Sequence, residues 1–202
     1  SGNAQGMQRG VFEDVPQAAG VILDESSRLT EVVDGILTLT RMDQMRYQVV
    51  PVELGIREYI EDQIERLEGL AYQKKIKLEF LPGDEHKIIS DVMLLGRAFS
   101  NVTSNCIRYA KEMVQISVEE NGEQLKITIR DDGPGIAEDD LPHLFDRFYK
   151  GKNGNHGLGL SIAKRSMEYM GGNIVAEASP DGAIFTIILP QDCRSFAVEE
   201  WT

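Results

Sequence analysis

Two short glycine-containing segments, separated by a polar and partly basic loop, constrain this chain more than any other feature of its sequence. They are residues 131–136, Asp-Asp-Gly-Pro-Gly-Ile, and residues 157–160, Gly-Leu-Gly-Leu. Glycine lets backbone amides approach a ligand closely and adopt torsion angles that other residues avoid. A helix that begins at Leu158 would direct free N–H groups at phosphates. The pair of segments therefore predicts a nucleotide site beneath a mobile lid.

Two further segments make this interpretation specific. Residues 101–109 fit a helix, on which the period of 3.6 residues places Asn101 and Asn105 on one face. Residues 145–150, Phe-Asp-Arg-Phe-Tyr-Lys, lie between the two glycine segments. The order along the chain is an asparagine box, a first glycine box, a phenylalanine box and a second glycine box.

This ordered set of four boxes resembles the ATP-binding catalytic domain of sensor histidine kinases, within the superfamily that includes gyrase, Hsp90 and MutL. The resemblance covers residues 50 to 190. It implies the Bergerat-type ATP-binding fold, with ATP as the nucleotide and magnesium as the metal ion.

The pattern of the whole domain predicts the α+β class, as a two-layer α/β sandwich in which helices cover one face of a mixed sheet. Apolar spacing predicts an amphipathic helix from Ile56 to Ala71, and Asp91 is expected to cap the asparagine-box helix. Asn121-Gly122 predicts a hairpin turn. Strands are predicted at residues 47–54, 76–80, 87–90, 113–119, 124–130, 173–178 and 183–189.

Upstream of this domain, residues 12–46 carry apolar side chains at mixed spacings of three and four, which predicts a long amphipathic helix. Such a helix could simply pack against its own domain. Residues 25–42 resemble the second helix of the histidine kinase dimerisation hairpin, which forms a four-helix bundle in that family. We interpret residues 1–11 as a disordered or cloning-derived N-terminus, 47–190 as the catalytic domain and 191–202 as a C-terminal tail.

A histidine kinase needs a phosphoacceptor histidine, and the three histidines of this chain can be compared with that requirement. In the family the first hairpin helix carries the phosphoacceptor histidine, and the sequence shows no counterpart of that helix. None of the three histidines, His86, His143 and His156, heads a helix with the required sequence. We interpret the chain as a fragment of a larger kinase; a natural protein without the acceptor is the alternative.

Composition sets limits on location and partners. A formal net charge of −12 argues against a protein that coats nucleic acid or adheres to anionic lipid. No apolar run approaches the roughly 20 residues that span a bilayer, and no signal peptide is visible. Cys106 and Cys193 lack metal-ligand or redox spacing, which favours a reducing compartment. We expect a cytoplasmic location, as the cytoplasmic portion of a membrane-anchored bacterial sensor kinase, without direct membrane contact.

The asparagine box carries the predicted metal ligand and two predicted catalytic residues. Asn105 offers a neutral carbonyl oxygen that suits magnesium, and the resemblance assigns this position to the metal ion; a helix-capping amide is the alternative. At the position of Asn101 the hydrolysing relatives have a glutamate that activates water. A carboxamide cannot accept that proton. Asn101 therefore favours phosphoryl transfer to a protein acceptor, with a phosphate or magnesium-water contact as its own role.

The base of the nucleotide is predicted to lie at the first glycine box. By resemblance, Asp131 accepts a hydrogen bond from the exocyclic amine of adenine and selects ATP over GTP. Tyr109 resembles the aromatic residue that stacks on adenine. The predicted nucleotide-binding set is completed by Arg108, Gly133, Gly135, Ile136, Gly157, Leu158, Gly159 and Leu160.

The lid is predicted to supply positive charge. Arg147, a predicted catalytic residue, and Lys150 would neutralise part of the triphosphate charge. Phe145 and Phe148 are interpreted as anchors that tether the lid to the core. Asn155 stands where the family commonly has glycine, and asparagine tolerates positive φ better than most residues.

Together these features predict a protein-histidine kinase domain that transfers the γ-phosphoryl group of magnesium-ATP to a histidine, for relay to a response regulator aspartate. The expected partners are the acceptor hairpin of the same kinase, in a homodimer, and a response regulator receiver domain; no nucleic acid is expected. One alternative is another ATPase or a serine kinase of the superfamily, which Asn101 disfavours. The other is a degenerate kinase that acts as a nucleotide-binding regulatory scaffold.

Overall fold

The computed structural model describes residues 47–149, 157–179 and 181–196, together with positions 26, 29, 30, 33, 35–38 and 40. The chain divides into two compact units, Ser1–Met45 and Arg46–Thr202. In the first unit the described positions are helical, and the Thr30 hydroxyl donates to the Ser26 carbonyl at 3.0 Å, one turn away. The rest of the long predicted helix lies outside the described residues.

The described part of the second unit contains seven strands, three α-helices and two short 3-10 helices. The strands are β1 (Val52–Gly55), β2 (Lys77–Phe80), β3 (Lys87–Ser90), β4 (Met113–Asn121), β5 (Gln124–Asp131), β6 (Asn173–Ser179) and β7 (Gly182–Pro190). The α-helices are α1 (Ile56–Lys74), α2 (Val92–Tyr109) and α3 (Gly159–Glu168). The 3-10 helices span Leu141–His143 and Cys193–Ser195.

Five of the strands form one mixed sheet in the order β2-β4-β5-β7-β6. Strands β2 and β4 are parallel, and the other neighbours are antiparallel. The hairpin predicted at Asn121-Gly122 joins β4 to β5, with Asn121 opposite Gln124 and Gly122 at a φ of 65°. The Asn-Gly pair thus forms the turn that its backbone freedom favours.

The sequence predicted a single sheet, whereas β1 and β3 form a separate antiparallel pair in which Val52 lies opposite Ser90. The N–H group of Ile89 in β3 bonds to the carbonyl of Gln191 at 2.8 Å, so β3 is held by the segment after β7. The pair leads into both α1 and α2, and it therefore sets where these two helices begin.

The three helices cover one face of the five-stranded sheet. Alternate residues of the central strands are buried against them: Val114, Ile116 and Val118 of β4 and Leu125, Ile127 and Ile129 of β5. Helix α2 packs against α1, α3 and the central strands, and its Phe99 is fully buried. The predicted two-layer α+β sandwich is confirmed. Of the helices in the described ranges, none combines the length and the apolar character needed to cross a membrane.

Two acidic residues cap the helices that begin beside the small sheet. The Asp91 carboxylate accepts hydrogen bonds from the N–H groups of Met93 at 2.9 Å and Leu94 at 3.0 Å, so its predicted role as N-cap of α2 is confirmed. Helix α1 follows Gly55, which has no side chain to cap it. Glu85, which is distant in sequence, supplies the cap: its carboxylate accepts a hydrogen bond from the Arg57 N–H group in the first turn of α1, at 3.0 Å.

Residues 191–196, predicted as the start of a tail, pack against the domain. Asp192 forms a parallel bridge with Ile89 of β3, and Cys193 is 1% exposed. These contacts hold the first residues after β7 against β3.

Candidate functional site

At the end of β5, Asp131 is a buried carboxylate with 2% of its surface exposed. Its Oδ1 atom accepts hydrogen bonds from the N–H groups of Gly133 at 2.9 Å and Ala183 at 3.2 Å. Burial raises the pKa of Asp131, and these hydrogen bonds only partly oppose that rise. Because both backbone donors meet Oδ1, Oδ2 is the oxygen left to accept from other donors.

A further donor to the same carboxylate is Cys106, which sequence reasoning treated only as an unpaired cysteine. Its side chain is 0% exposed on α2 and is hydrogen-bonded to the Asp131 carboxylate. Burial raises the pKa of the Cys106 thiol well above its ordinary value, so the thiol keeps its proton and acts as a donor. The sequence did contain a signal for this contact: Cys106 directly follows Asn105 on a helix that packs against the sheet.

The first glycine box is in close contact with two neighbouring segments. A Cβ atom on Gly133 would collide with the carbonyl of Tyr109 and lie 2.8 Å from Asp131 Oδ1. Gly135 has a φ of 78°, and a Cβ there would lie 2.9 Å from the Ser179 carbonyl. Only glycine fits at these positions, because the C-terminal end of α2 and the β6–β7 turn leave no room for a side chain.

Asp132, next in the chain, has a structural role. Its carboxylate accepts from the backbone N–H groups of Lys111 at 2.8 Å, Glu112 at 3.1 Å and Met113 at 3.2 Å. Burial would raise the pKa of Asp132, but these bonds to the charged form outweigh it and the pKa is lowered. The two consecutive aspartates therefore have different roles. Asp132 stabilises the start of β4, and Asp131 faces the helix layer.

At the other end of the site, Asn101 lies against the second glycine box. Its Nδ2 atom donates to the Arg97 carbonyl one turn earlier, at 2.8 Å. Its Oδ1 atom faces Gly159, where an added Cβ would lie 2.8 Å from that oxygen. Asn105 is half-buried one turn further along α2. Helix α3 begins here after Leu158, whose apolar side chain cannot cap it, and no other side chain in the described ranges does so; its first-turn N–H groups can therefore bind an anion.

The phenylalanine box is joined to the second glycine box through the backbone. The Phe148 N–H group donates to the Gly157 carbonyl at 2.8 Å, and Gly157 itself has a φ of 68°. Phe148 has a φ of 64°, and its side chain is 58% exposed. The predicted anchoring role of the Phe148 ring is therefore wrong, because the anchor is its backbone N–H group. Phe145 is half-buried, with Lys164 Nζ of α3 at 5.1 Å from its ring centroid.

The structure thus brings the four boxes together around the ends of α2 and α3. Arg108 and Arg147 are exposed, Tyr109, Ile136 and Leu160 are half-buried, and Leu158 is buried at 3% exposure. Lys150, Asn155 and His156 lie outside the described residues.

Residues 90–192, just over half of the chain, match the family described as histidine kinase-, DNA gyrase B- and HSP90-like ATPases. The chain belongs to this family, and the resemblance predicted from the four boxes is confirmed.

Named relatives of this chain are sensor histidine kinases. The signal transduction histidine-protein kinase AfsQ2 of Streptomyces coelicolor is 33% identical over 184 residues, which cover 88% of this chain and 34% of that protein. This chain therefore spans about a third of the length of that relative.

Solved structures agree on the fold. The Acinetobacter baumannii histidine kinase AdeS superposes with a TM-score of 0.78 over 94% of this chain and 92% of that chain, at 23% identity. The histidine kinase ThkA, solved in complex with the response regulator protein TrrA, superposes with a TM-score of 0.77 over 96% of this chain and 57% of that chain, at 20% identity.

Proposed function

We propose that this chain is the ATP-binding catalytic region of a bacterial sensor histidine kinase, which transfers the γ-phosphoryl group of ATP to a histidine. The observation that carries the proposal is the buried Asp131 carboxylate, which lies beside the C-terminal end of α2. Further back along α2, Asn101 contacts Gly159, where α3 begins. One end of the site suits a base and the other suits phosphates.

Adenine recognition is assigned to the first glycine box. An ionised carboxylate accepts hydrogen bonds and cannot donate them, so Asp131 favours the exocyclic amine of adenine over the carbonyl oxygen of guanine. Gly133 and Gly135 leave the approach to this carboxylate free of side chains. Two half-buried residues supply apolar surface for the base: Tyr109, whose carbonyl lies against Gly133, and Ile136.

Phosphate binding is assigned to the start of α3, where the uncapped N–H groups and the helix dipole favour negative charge. Magnesium fits the donor set here, because Asn105 carries a neutral amide oxygen of the kind that this ion prefers. When bound, magnesium would neutralise phosphate charge. Asn101 turns Oδ1 toward Gly159, and an amide oxygen cannot donate to phosphate. We therefore assign Asn101 to a magnesium-bound water rather than to a phosphate oxygen.

The proposed reaction is a phosphoryl transfer. A ring nitrogen of the acceptor histidine forms a bond to the γ-phosphorus, the bond from that phosphorus to the bridging oxygen breaks, and ADP leaves. Exposed Arg147 would stabilise the developing charge. Because Asn101 lacks a carboxylate, no side chain at that position takes a proton from water, so transfer is favoured over hydrolysis.

The proposed partners and location follow from the same function. We propose that the acceptor histidine lies on a dimerisation hairpin of the same kinase, in a homodimer. A response regulator receiver domain would then take the phosphoryl group, as the complex of ThkA with TrrA suggests. The proposed location is the cytoplasmic side of a membrane-anchored kinase.

Nucleotide binding can be tested by calorimetric titration of ATP and GTP with magnesium. We expect the wild-type chain to bind ATP and to discriminate against GTP, and Asp131→Asn to weaken ATP binding by about tenfold or more, since a charged hydrogen-bond acceptor is lost. Asp181→Asn is the matched control, because the side chain of Asp181 is 82% exposed and should leave affinity unchanged.

Transfer can be tested by mixing the chain with a dimerisation hairpin of a related histidine kinase and labelled ATP. Magnesium-dependent, acid-labile label on the hairpin histidine is expected. ATP binding without any such label would leave the scaffold alternative, and failure of the wild-type chain to bind millimolar ATP would reject the proposal entirely.

A further inference from the structure

A group of four residues around one buried carboxylate, that of Asp91, lies at the ends of α2 and α3 that are remote from the glycine boxes. We call it the connector junction: Tyr47, Val50, Asp91 and Tyr169. Helix α2 begins beside it at Val92 and runs to the predicted base site at Tyr109. Helix α3 begins at the phosphate end of the site and ends at Glu168, directly before Tyr169. Both helices of the nucleotide site therefore run between the site and this junction.

Asp91 is the centre of the junction, and it is 1% exposed. Its Oδ1 atom caps α2, while its Oδ2 atom accepts from the Val50 N–H group at 2.8 Å and the Tyr47 hydroxyl at 3.3 Å. One carboxylate thus joins the first turn of the asparagine-box helix to residues 47–50. Removing either pair of donors would leave part of a buried charge unsatisfied.

Tyr47 also contacts the end of α3. Its ring lies 5.8 Å from the ring of Tyr169, with 56° between the ring planes, and the Arg165 guanidinium lies 4.9 Å from the Tyr169 ring. A second contact, which is buried, joins the same ends: the Ser90 hydroxyl donates to the Met170 sulfur at 3.3 Å. A shift of Tyr47 would therefore disturb both helices.

Helices α2 and α3 connect this junction to the nucleotide site. Asn101 lies ten residues after Asp91, which is about 15 Å along an α-helix. Gly159, against which Asn101 Oδ1 lies, is the first residue of α3. Because packed helices move as rigid elements, the relative position of α2 and α3 at the junction affects the spacing of Asn101 and Gly159.

We infer that Asp91 is a positioning residue for nucleotide binding and that Tyr47 couples the nucleotide site to the connecting segment, residues 47–50. This inference rests on the proposed nucleotide-binding function. The connecting segment continues from Met45, where the first compact unit ends. Coupling is reciprocal: if the junction favours bound nucleotide, then bound nucleotide must stabilise the junction by the same factor.

The test compares Tyr47→Phe with wild type, using a non-hydrolysable ATP analogue with magnesium. The variant keeps the ring against Tyr169 and removes only the hydroxyl that donates to Asp91. We expect its affinity for the analogue to fall about two- to fivefold, the range for partial loss of one hydrogen bond to a charged group. Tyr72→Phe is the matched control, because Tyr72 is 86% exposed on α1 and its loss of a hydroxyl should leave affinity unchanged.

The second measurement is amide hydrogen exchange at Val50, with and without the analogue. In the wild-type chain the analogue should slow exchange of this N–H group, and in Tyr47→Phe the slowing should shrink by the factor lost in affinity. A purely structural Tyr47 would lower stability yet leave affinity and nucleotide-dependent protection unchanged, which overturns the inference. If the wild-type chain does not bind the analogue at all, the proposed function fails and this inference fails with it.

Discussion

At the first glycine box the chain uses glycine where a side chain would collide, whereas at the phenylalanine box it places a bulky residue in a conformation that suits glycine. Gly133 and Gly182 both lie against the backbone, the first at Tyr109 and the second at Asp131. Phe148 has a φ of 64° with an exposed ring. Left-handed backbone at a non-glycine residue is sterically unfavourable and needs support from its surroundings.

The two regions also differ in how their polar groups are held. Asp131 is buried and bonded to Gly133, Ala183 and Cys106, so its orientation is set by the core. At the phenylalanine box the His143–Asp146 pair, 2.9 Å long, has both side chains more than half exposed. Exposed pairs of this kind contribute little to stability. The base end of the site is thus preformed by packing, while the phenylalanine box depends on local backbone bonds.

The largest expected effect on stability is at Gly182, which is in close contact with the backbone of Asp131 and Asp132. In Gly182→Ala the new Cβ would collide with the Asp131 carbonyl and lie 3.1 Å from the Asp132 Cα, at a φ of 134°. We expect a loss of about 3 kcal/mol or more in the free energy of unfolding, measured by urea denaturation. Gly122→Ala is the control: its φ is 65°, but nothing lies within 4 Å of the added atom. It should cost about 1 kcal/mol from conformation alone. Equal losses would show that crowding at Asp131 is unimportant.

The reverse experiment applies at the phenylalanine box. Phe148→Gly relieves the left-handed conformation, and because the ring is exposed, little buried surface is lost. We expect stability to be unchanged or to rise by up to about 1 kcal/mol, the gain being reduced by the greater freedom of glycine in the unfolded chain. Phe145→Gly, at a half-buried ring, should instead destabilise by about 2 kcal/mol. A clear destabilisation by Phe148→Gly would mean that its ring, and not its backbone, supports the box.

The smallest expected effect concerns the pH dependence of Asp131. Because burial raises its pKa in the folded state, the native protein binds this proton more tightly than the unfolded chain does. The resulting stability is fully present below the ordinary aspartate value of 3.8 and is lost as pH rises through the raised pKa. Asp131→Asn lacks this loss, so its stability relative to wild type should increase from pH 4 to pH 7 in urea unfolding. A relative stability that falls over that range would contradict the assignment.

Sequence reasoning succeeded where the signal is local. The apolar spacing after Ile56 predicts α1, Asn121-Gly122 predicts the central hairpin, and Asp91 precedes the helix that it caps. The four boxes could be expected to meet because the resemblance prescribes their order. Local chemistry and chain order were sufficient in each of these cases.

The features that escaped prediction are contacts between distant residues or unusual torsion angles. The Cys106–Asp131 bond joins residues 25 positions apart, and the Tyr47–Asp91 bond spans 44. Glu85 caps α1 from 28 residues away. No property of the phenylalanine side chain indicates the positive φ of Phe148, which depends on the bond that its N–H group makes to Gly157.

That bond between Phe148 and Gly157 has a further consequence for how the domain can vary. The chain leaves the site after Tyr149 and returns at Gly157, with seven residues between them, and the 2.8 Å bond holds the two ends together. For a closed loop, doubling the length costs only about 0.6 kcal/mol. We therefore expect the backbone at Phe148 and Gly157 to tolerate a change in the number of residues between them, because their own hydrogen bond already holds these two positions together.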